Sequence, residues 1–396
     1  VSVDKEKKKF KPHKISLLAL GHLITDSYAG MVNPIIPLLM VKLSFSVAYA
    51  GIISSTIGIS SSLLQPVVGY LSDKLRKRIF IIFGPILAAL GFSFMDAAWN
   101  YYSLLALIFI GGIGIAFYHP QAASLANLES KEKKATGMSI FVAGGTLGYA
   151  FGPILITVLV SLGGLNYTYF TIIPGIVISI LLYKYIKILP PKKEKSVSLI
   201  EAFRLNPYIL VILCLIVIVR AFVVLGFSTF VPILIVERGE KFAMGGLTLF
   251  FYQLFGSFGG FIGGFVSDRY RWGEKIILLS FILAIPLFLF YLQLKGVVAM
   301  LVYMIIGAVF FSSIPVVVAL AQSKMPSHVG TISSMVMGFS WGIAGLLVSI
   351  LGKIAEVFGV KNMLSILSFV PSLGIVLSLM LIFNSKKPEK NKENVR

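Results

Sequence analysis

The sequence predicts an all-α polytopic membrane protein of twelve transmembrane helices, arranged as two pseudo-symmetric six-helix bundles with both chain ends cytoplasmic. Three observations predict it: apolar runs of membrane-spanning length, an internal repeat, and basic charge confined to alternate loops. Of the 396 residues, 57% are hydrophobic and 13% charged, and mean hydropathy is +0.92. The charged share is about half that of a soluble domain. Runs of roughly 20 apolar residues recur along the chain, enough to cross about 30 Å of hydrocarbon as helix. Strands of a soluble sheet are far shorter.

The repeat is anchored by two loops. Gly69–Arg78 reads GYLSDKLRKR and Gly264–Arg269 reads GFVSDR, each closing an apolar run; Arg271 and Lys275 follow the second. The glycines of the two loops are 195 residues apart, as are Asp73 and Asp268. Pro37 and Pro232, Gly51 and Gly246, and Pro120 and Pro315 keep the same offset, and Gly144 and Gly148 meet Gly338 and Gly342 with a one-residue slip. Repeats of this length in so apolar a chain mark many transporter folds.

The formal net charge of +19 invites a nucleic-acid reading, which its distribution rejects. With twelve spans, loops on the side of the chain ends hold 28 Lys and Arg and the opposite loops six, leaving Arg220 inside a span. That asymmetry is the positive-inside rule. The partners it implies are a lipid bilayer and a small-molecule substrate, not nucleic acid, and the chain is expected to act as a monomer. The single cysteine, Cys214, is expected to pack in an apolar run. The basic start feeds a first span too long for a cleavable leader.

In chain order, the reading gives a basic tail (1–13), a six-helix bundle (14–189), a cytoplasmic linker (190–206), a second bundle (207–384) and a basic tail (385–396). The spans are placed at 14–41, 46–71, 79–98, 101–127, 135–161, 167–189, 207–236, 243–268, 275–294, 297–322, 329–357 and 361–384. Loops this short leave no room for a soluble catalytic domain. Both tails are rich in lysine and are expected to be disordered. Gly144, Gly148 and Gly152, followed by Pro153, form a small-residue stripe, as do Gly256, Gly260 and Gly264. Such stripes let helices pack closely in lipid. They suit rigid packing and sliding surfaces alike.

Ionisable residues within spans are few. Asp26 lies in the first with His22 one turn earlier on the same face, His119 precedes Pro120 in the fourth, and Arg220 lies in the seventh. A charge at mid-bilayer costs about 2.5–3.5 kcal/mol on insertion scales, so such groups face partners or cavities. Superposing the repeat aligns Asp26 with Ala221 and Arg220 with Thr25. The acid and the base are therefore expected to face each other across the pseudo-twofold axis. Asp26, modulated by His22, is the candidate proton carrier. Arg220 is a candidate for binding an anionic group, or for a packing pair with Asp26. His119 reads equally as a packing residue or a cavity group, and Tyr28, Asn33, Gln65, Tyr118, Gln121 and Gln253 are further cavity candidates. No clustered ligands suggest a metal, and no phosphate-binding loop suggests ATP. The expected energy source is a proton gradient, with no cofactor, and neither an enzyme nor a channel is expected.

Twelve spans, the two-half repeat and the Asp-plus-basic loop after the second span of each half resemble the major facilitator superfamily. Its loop pattern is G-x-x-x-D-[RK]-x-G-[RK]-[RK], here matched by Gly69, Asp73, Lys74, Lys77 and Arg78, with Arg76 replacing the second glycine. Gly144–Pro153 resembles the antiporter motif of its fifth helix. His22–Asp26 (HLITD), Ser61–Tyr70 (SSLLQPVVGY) and Phe117–Gln121 (FYHPQ) resemble its fosmidomycin-resistance branch of drug exporters. The resemblance implies alternating access, a cavity lined by the first, fourth, seventh and tenth helices, and a multi-pass protein of the cytoplasmic (inner) membrane. The function it implies is proton-coupled export of small anionic or amphiphilic compounds. Import of a sugar or organic acid on the same fold is the alternative. Asp73 and Asp268, with Arg269, are expected to latch against the N-termini of the eleventh and fifth helices, each worth about 0.3–2 kcal/mol. The same loops also serve as topology signals.

Overall fold

A strongly apolar segment satisfies its backbone donors within itself once water is excluded, which a helix does, and the described residues are almost all helical. The computed structural model describes residues 12–75, 77–131, 133–187, 207–324, 332 and 334–385; side chains at 73, 135, 334 and 385 are not included. The expected linker and most of both tails lie outside the described residues. Among the described residues there is no strand, and eleven helices are long and apolar enough to cross a membrane. They are Pro12–Leu43, Val47–Ser72, Tyr101–Glu129, Thr136–Gly163, Leu165–Tyr185, Pro207–Glu237, Phe242–Tyr270, Gly273–Tyr291, Gly296–Lys324, Met335–Phe358 and Val360–Asn384. The shorter Ile79–Ser93 lies third in order, giving twelve spans among the described residues, an even number that leaves the start of the first and the end of the last on one face.

Three spans are interrupted. The second widens into a π-helix at Gly58–Leu63, where the Leu64 N–H reaches back five residues to Ile59 O. Pro66 lacks the N–H needed to continue a regular ladder, and the hydroxyls of Ser60 and Ser61 bond to Thr56 O and Ile57 O. The eleventh span carries a second π-helix at Ser334–Phe339. The tenth breaks between Phe311 and Ile314, just before Pro315. Proline and serine are recognised causes of such kinks.

Glycines set how closely spans approach. In the first half Gly144, Gly148 and Gly152 press against the backbone of Ala19, Leu23 and Ser27, turn by turn along the first span. In the second half the tight contacts to the tenth span are made by Gly256, Gly259 and Gly263. Gly260 and Gly264, expected in that stripe, make only ordinary contacts. The tight stripe is thus offset by one residue from the expected one at its last two positions.

Between the halves, the seal lies on the face away from the chain ends. A Cβ on Gly51 would lie 2.5 Å from Val348 O, and one on Gly246 would lie 2.9 Å from Pro153 O. Since 195 residues separate Gly51 from Gly246 and Pro153 from Val348, the second–eleventh and eighth–fifth seams are copies of each other. Ser55 Oγ donates to Gly345 O across the first seam (2.7 Å), and the Phe151 and Phe250 rings meet across the second (5.4 Å). Toward the chain ends the seam loosens. Gly352, Gly345 and Gly342 abut Ala48, Gly58 and Leu63, whereas a Cβ on Gly338 would meet nothing within 4 Å. The halves therefore touch on one face and diverge toward the face that carries both termini.

A test follows from Gly352, where any side chain strikes Ala48 O. Gly352→Leu is expected to part the seam, since overpacking costs about 1–3 kcal/mol. With Cys214 replaced by serine, a cysteine at Ser55 should then react about tenfold faster with an impermeant maleimide added on that face. An unchanged rate would show that the seam yields elsewhere.

Candidate functional site

Three polar side chains from two spans converge in the first half. Asp26 Oδ2 lies 3.2 Å from His22 Nε2, one turn earlier on the same helix, and Asp26 Oδ1 lies 2.7 Å from His119 Nε2 on the fourth span. Their side chains are 18% (Asp26), 12% (His22) and 23% (His119) exposed, so none is fully buried. The His22 ring stacks on Phe141 at 4.3 Å and its Nδ1 bonds to Phe141 O (2.8 Å). Gln65 bonds through Nε2 to His119 Nδ1 (3.1 Å) and to Ser61 O (2.7 Å). Gly145 makes room for the group, because a Cβ there would run into the His22 ring and lie 2.8 Å from Asp26 Oδ2. Sequence reading named Gly144, Gly148 and Gly152 as a packing stripe, and the glycine beside them fits the site.

The three residues bring metal-ligating atoms within 4.8 Å of one another, although the sequence suggested no clustered ligands. A metal-bound imidazole donates its other N–H to an acceptor. His22 is arranged that way against Phe141 O, but His119 Nδ1 faces the amide nitrogen of Gln65, which is itself a donor. The set does not fit a metal at His119.

Arg220 is not the partner of Asp26. It is 1% exposed and donates to Phe310 O and to Ser280 Oγ (3.2 Å), with its guanidinium 4.4 Å and 4.8 Å from the Phe281 and Phe310 ring centroids. Sequence alignment of the repeats matched the depths of acid and base but not the directions of their side chains. The break in the tenth span leaves carbonyls near its negative end, and the arginine turns toward them. Its Nε has no partner, and the side chain borders a small void with Val217, Val317, Val336, Met337 and Trp341. No carboxylate among the described residues pairs with it.

Other expected cavity groups divide. Asn33 and Gln253 border a small void on the seam, together with Tyr149 and Ser228. Asn33 and Ser228 are also 195 residues apart, and Asn33 Oδ1 and Ser228 Oγ are both buried without a partner. Tyr28 and Tyr118 instead turn into helix packing, donating to Thr171 O and Leu18 O (both 2.6 Å). Gln121 accepts from Ile81 N (2.8 Å) and donates to Ser72 Oγ and Lys77 O, tying down the loop after the second span. A buried phenol or amide is directed by the nearest free carbonyl or N–H, which a sequence does not display.

The latch residues are placed unevenly. Gly69 packs in ordinary contact with Pro120. Arg78 donates to Tyr183 O and Ile186 O at the end of the sixth span, and Lys74 is exposed. Asp268 and Arg269 are exposed, and no bond or ion pair joins Asp268 to another described residue. The Asp73 side chain and residues 329–331, its expected partner, lie outside what the structure describes.

The fold and sequence match transporters. The chain is 26% identical over 382 residues to the Uncharacterized MFS-type transporter YfnC of Bacillus subtilis, covering 92% of this chain and 91% of that one. It is 27% identical over 387 residues to the Fosmidomycin resistance protein of Escherichia coli, covering 94% and 93%. Among solved structures, the inward-facing, unoccupied form of a bacterial homologue of the human lysosomal transporter Spinster superposes with a TM-score of 0.82 at 16% identity, over 98% of this chain and 100% of that one. YfnC and the Spinster homologue are transporters by name, and so by family is this multi-pass membrane protein; it is not an enzyme. The family model for the Major Facilitator Superfamily matches residues 18–349, and the chain belongs to that superfamily.

Proposed function

We propose that the protein exchanges protons for small anionic or amphiphilic organic compounds, exporting them across the cytoplasmic (inner) membrane by alternating access. The observation that carries this reading is the His22–Asp26–His119 set, a protonatable and partly exposed group within the spans. An ionisable group in a membrane span is costly, and packing alone would be served by apolar residues. Arg220, a buried cation with no carboxylate partner among the described residues, supports an anionic substrate. The names of the E. coli relative and of the quinolone resistance protein NorA of Staphylococcus aureus, 29% identical over 31% of this chain, support drug-like compounds. The basic face carrying both termini is the cytoplasmic one, so the form described here opens inward. Asp268, without a partner among the described residues, suits a latch that engages only in the opposite form. The protein acts as a monomer, driven by the proton gradient without a bound cofactor.

Proteoliposomes with an acidic lumen test the direction of coupling. Protons leaving the lumen draw substrate in through an antiporter and drive it out through a symporter, however the protein is inserted. Fosmidomycin and a quinolone, supplied on both sides, are expected to accumulate inside. Depletion would establish the importer reading, and no response to the gradient would remove proton coupling.

A further inference from the structure

The hydrogen-bond directions around Asp26 restrict where protons can sit. Phe141 O is an acceptor, so His22 Nδ1 carries a hydrogen. Ser61 O is an acceptor too, so the Gln65 amide nitrogen, not its oxygen, faces it at 2.7 Å; reversing the amide would set two acceptors against each other. That same nitrogen has one hydrogen left, and His119 Nδ1 lies 3.1 Å away. A nitrogen that receives a hydrogen bond carries no proton of its own. His119 is then neutral, with its hydrogen on Nε2 and donated to Asp26 Oδ1. The position left open is the 3.2 Å gap between His22 Nε2 and Asp26 Oδ2.

We propose that Gln65 is a positioning residue that fixes His119 in its neutral Nε2–H form and so limits the cluster to a single labile proton, shared by His22 and Asp26. The proposal rests on the proton-coupled reading above and assigns the carrier within it. When the proton is present it lies between His22 Nε2 and Asp26 Oδ2. When it leaves, two lone pairs face each other across that gap, and the cluster gains one negative charge. The other titratable groups facing Asp26 are Tyr118 on the fourth span, its hydroxyl engaged by Leu18 O, and Tyr149 on the fifth.

The same geometry ties protonation to the seam. In the five-residue register of the π-helix the backbone donor to Ser61 O would come from position 66, which is a proline. That leaves the carbonyl available to the Gln65 side chain. Gly58 and Leu63, the ends of this π-helix, rest on Gly345 and Gly342 of the eleventh span. Parting the halves at this seam removes the support that holds the π register. Gln65 then loses its anchor, and His119 becomes free to change its proton. A carrier that responds to conformation in this way is what coupled exchange requires.

The test is nitrogen NMR of the full chain, labelled with ¹⁵N-histidine in lipid nanodiscs between about pH 5 and 9, the range in which histidine titrates. Signals are assigned by loss in His22→Gln and His119→Gln. His119 is expected to show the neutral Nε2–H tautomer, with Nδ1 accepting, while His22 shows Nδ1–H with the labile proton on its Nε2 side. In Gln65→Leu, Nδ1 of His119 loses its donor, and the Nδ1–H and doubly protonated forms are expected to appear in its signals. In Gln65→Glu, whose carboxylate accepts from Nδ1–H, His119 is expected to show a hydrogen on Nδ1. An Nδ1–H or doubly protonated His119 in the unmodified protein would overturn the assignment without any variant needing to fold. An unchanged His119 in both Gln65 variants would overturn the role of Gln65. These spectra do not depend on transport, so a negative liposome assay would sink proton coupling and leave the tautomer assignment standing.

Discussion

Asp26→Asn is expected to abolish accumulation driven by a pH gradient while leaving substrate exchange intact. The asparagine oxygen accepts from His119 Nε2–H, and its amide donates to His22 Nε2, so both partners of the native carboxylate stay satisfied. What disappears is the labile proton. A gradient of two pH units holds about 2.7 kcal/mol per proton, enough for roughly hundredfold accumulation by one-for-one exchange. In the variant that ratio should fall to about one, with counterflow of labelled against unlabelled substrate at close to the native rate. Asp26→Ala separates coupling from packing. It leaves His119 Nε2–H without an acceptor, at a cost of about 1–3 kcal/mol, and should lower thermal stability where Asp26→Asn does not. Equal loss of driven transport and exchange in Asp26→Asn would return the residue to a purely structural role.

Arg220→Met is expected to weaken binding of an anionic compound by about 10- to 100-fold, the loss of one charged hydrogen bond of about 1.5–3 kcal/mol. Quenching of Trp341, which borders the same void, provides the readout, with fosmidomycin as the anionic probe and a neutral sugar as control. The thermal midpoint should move by no more than about 3 °C. Two opposing effects nearly cancel there: Phe310 O and Ser280 Oγ lose a donor, and an uncompensated buried charge is removed. If Arg220 only caps the broken tenth span, stability falls sharply and the anionic probe binds as before to whatever remains folded.

What could be read from the chain beforehand was whatever depends on spacing along one helix or along the repeat. His22 and Asp26 are four residues apart and share a face. Gly51 and Gly246, matched by offset alone, occupy equivalent places on the two seams. What could not be read was the rotation of one span against another. His119 meets Asp26 rather than its own helix only because the fourth span turns that face toward the first. Arg220 points to a carbonyl exposed by a break at Ser312 and Ser313, and the sequence shows the proline after the break but not which side chain fills it. The three serines before Gln65 and Pro66 were visible, and their back-bonding together with the missing proline N–H would have been the signal for the π-helix. Tyr28, Tyr118 and Gln121 were misjudged for one shared reason. A polar group in an apolar run signals that a partner exists, and a backbone carbonyl serves as well as water or a ligand.

Ser55 shows how the seam can open without leaving a broken bond behind. Its hydroxyl lies 2.7 Å from Gly345 O on the opposing half and 3.1 Å from Gly51 O on its own helix. On separation the donor reverts to the intrahelical acceptor, so the hydroxyl keeps a partner in both states. The glycine contacts beside it, Gly345 on Gly58, Gly342 on the Leu63 side chain and Gly51 on the Val348 backbone, are held by dispersion, which weakens in small steps as distance grows. A closure of this kind has no single fastening to rupture, and thermal motion can undo it repeatedly at the same low toll.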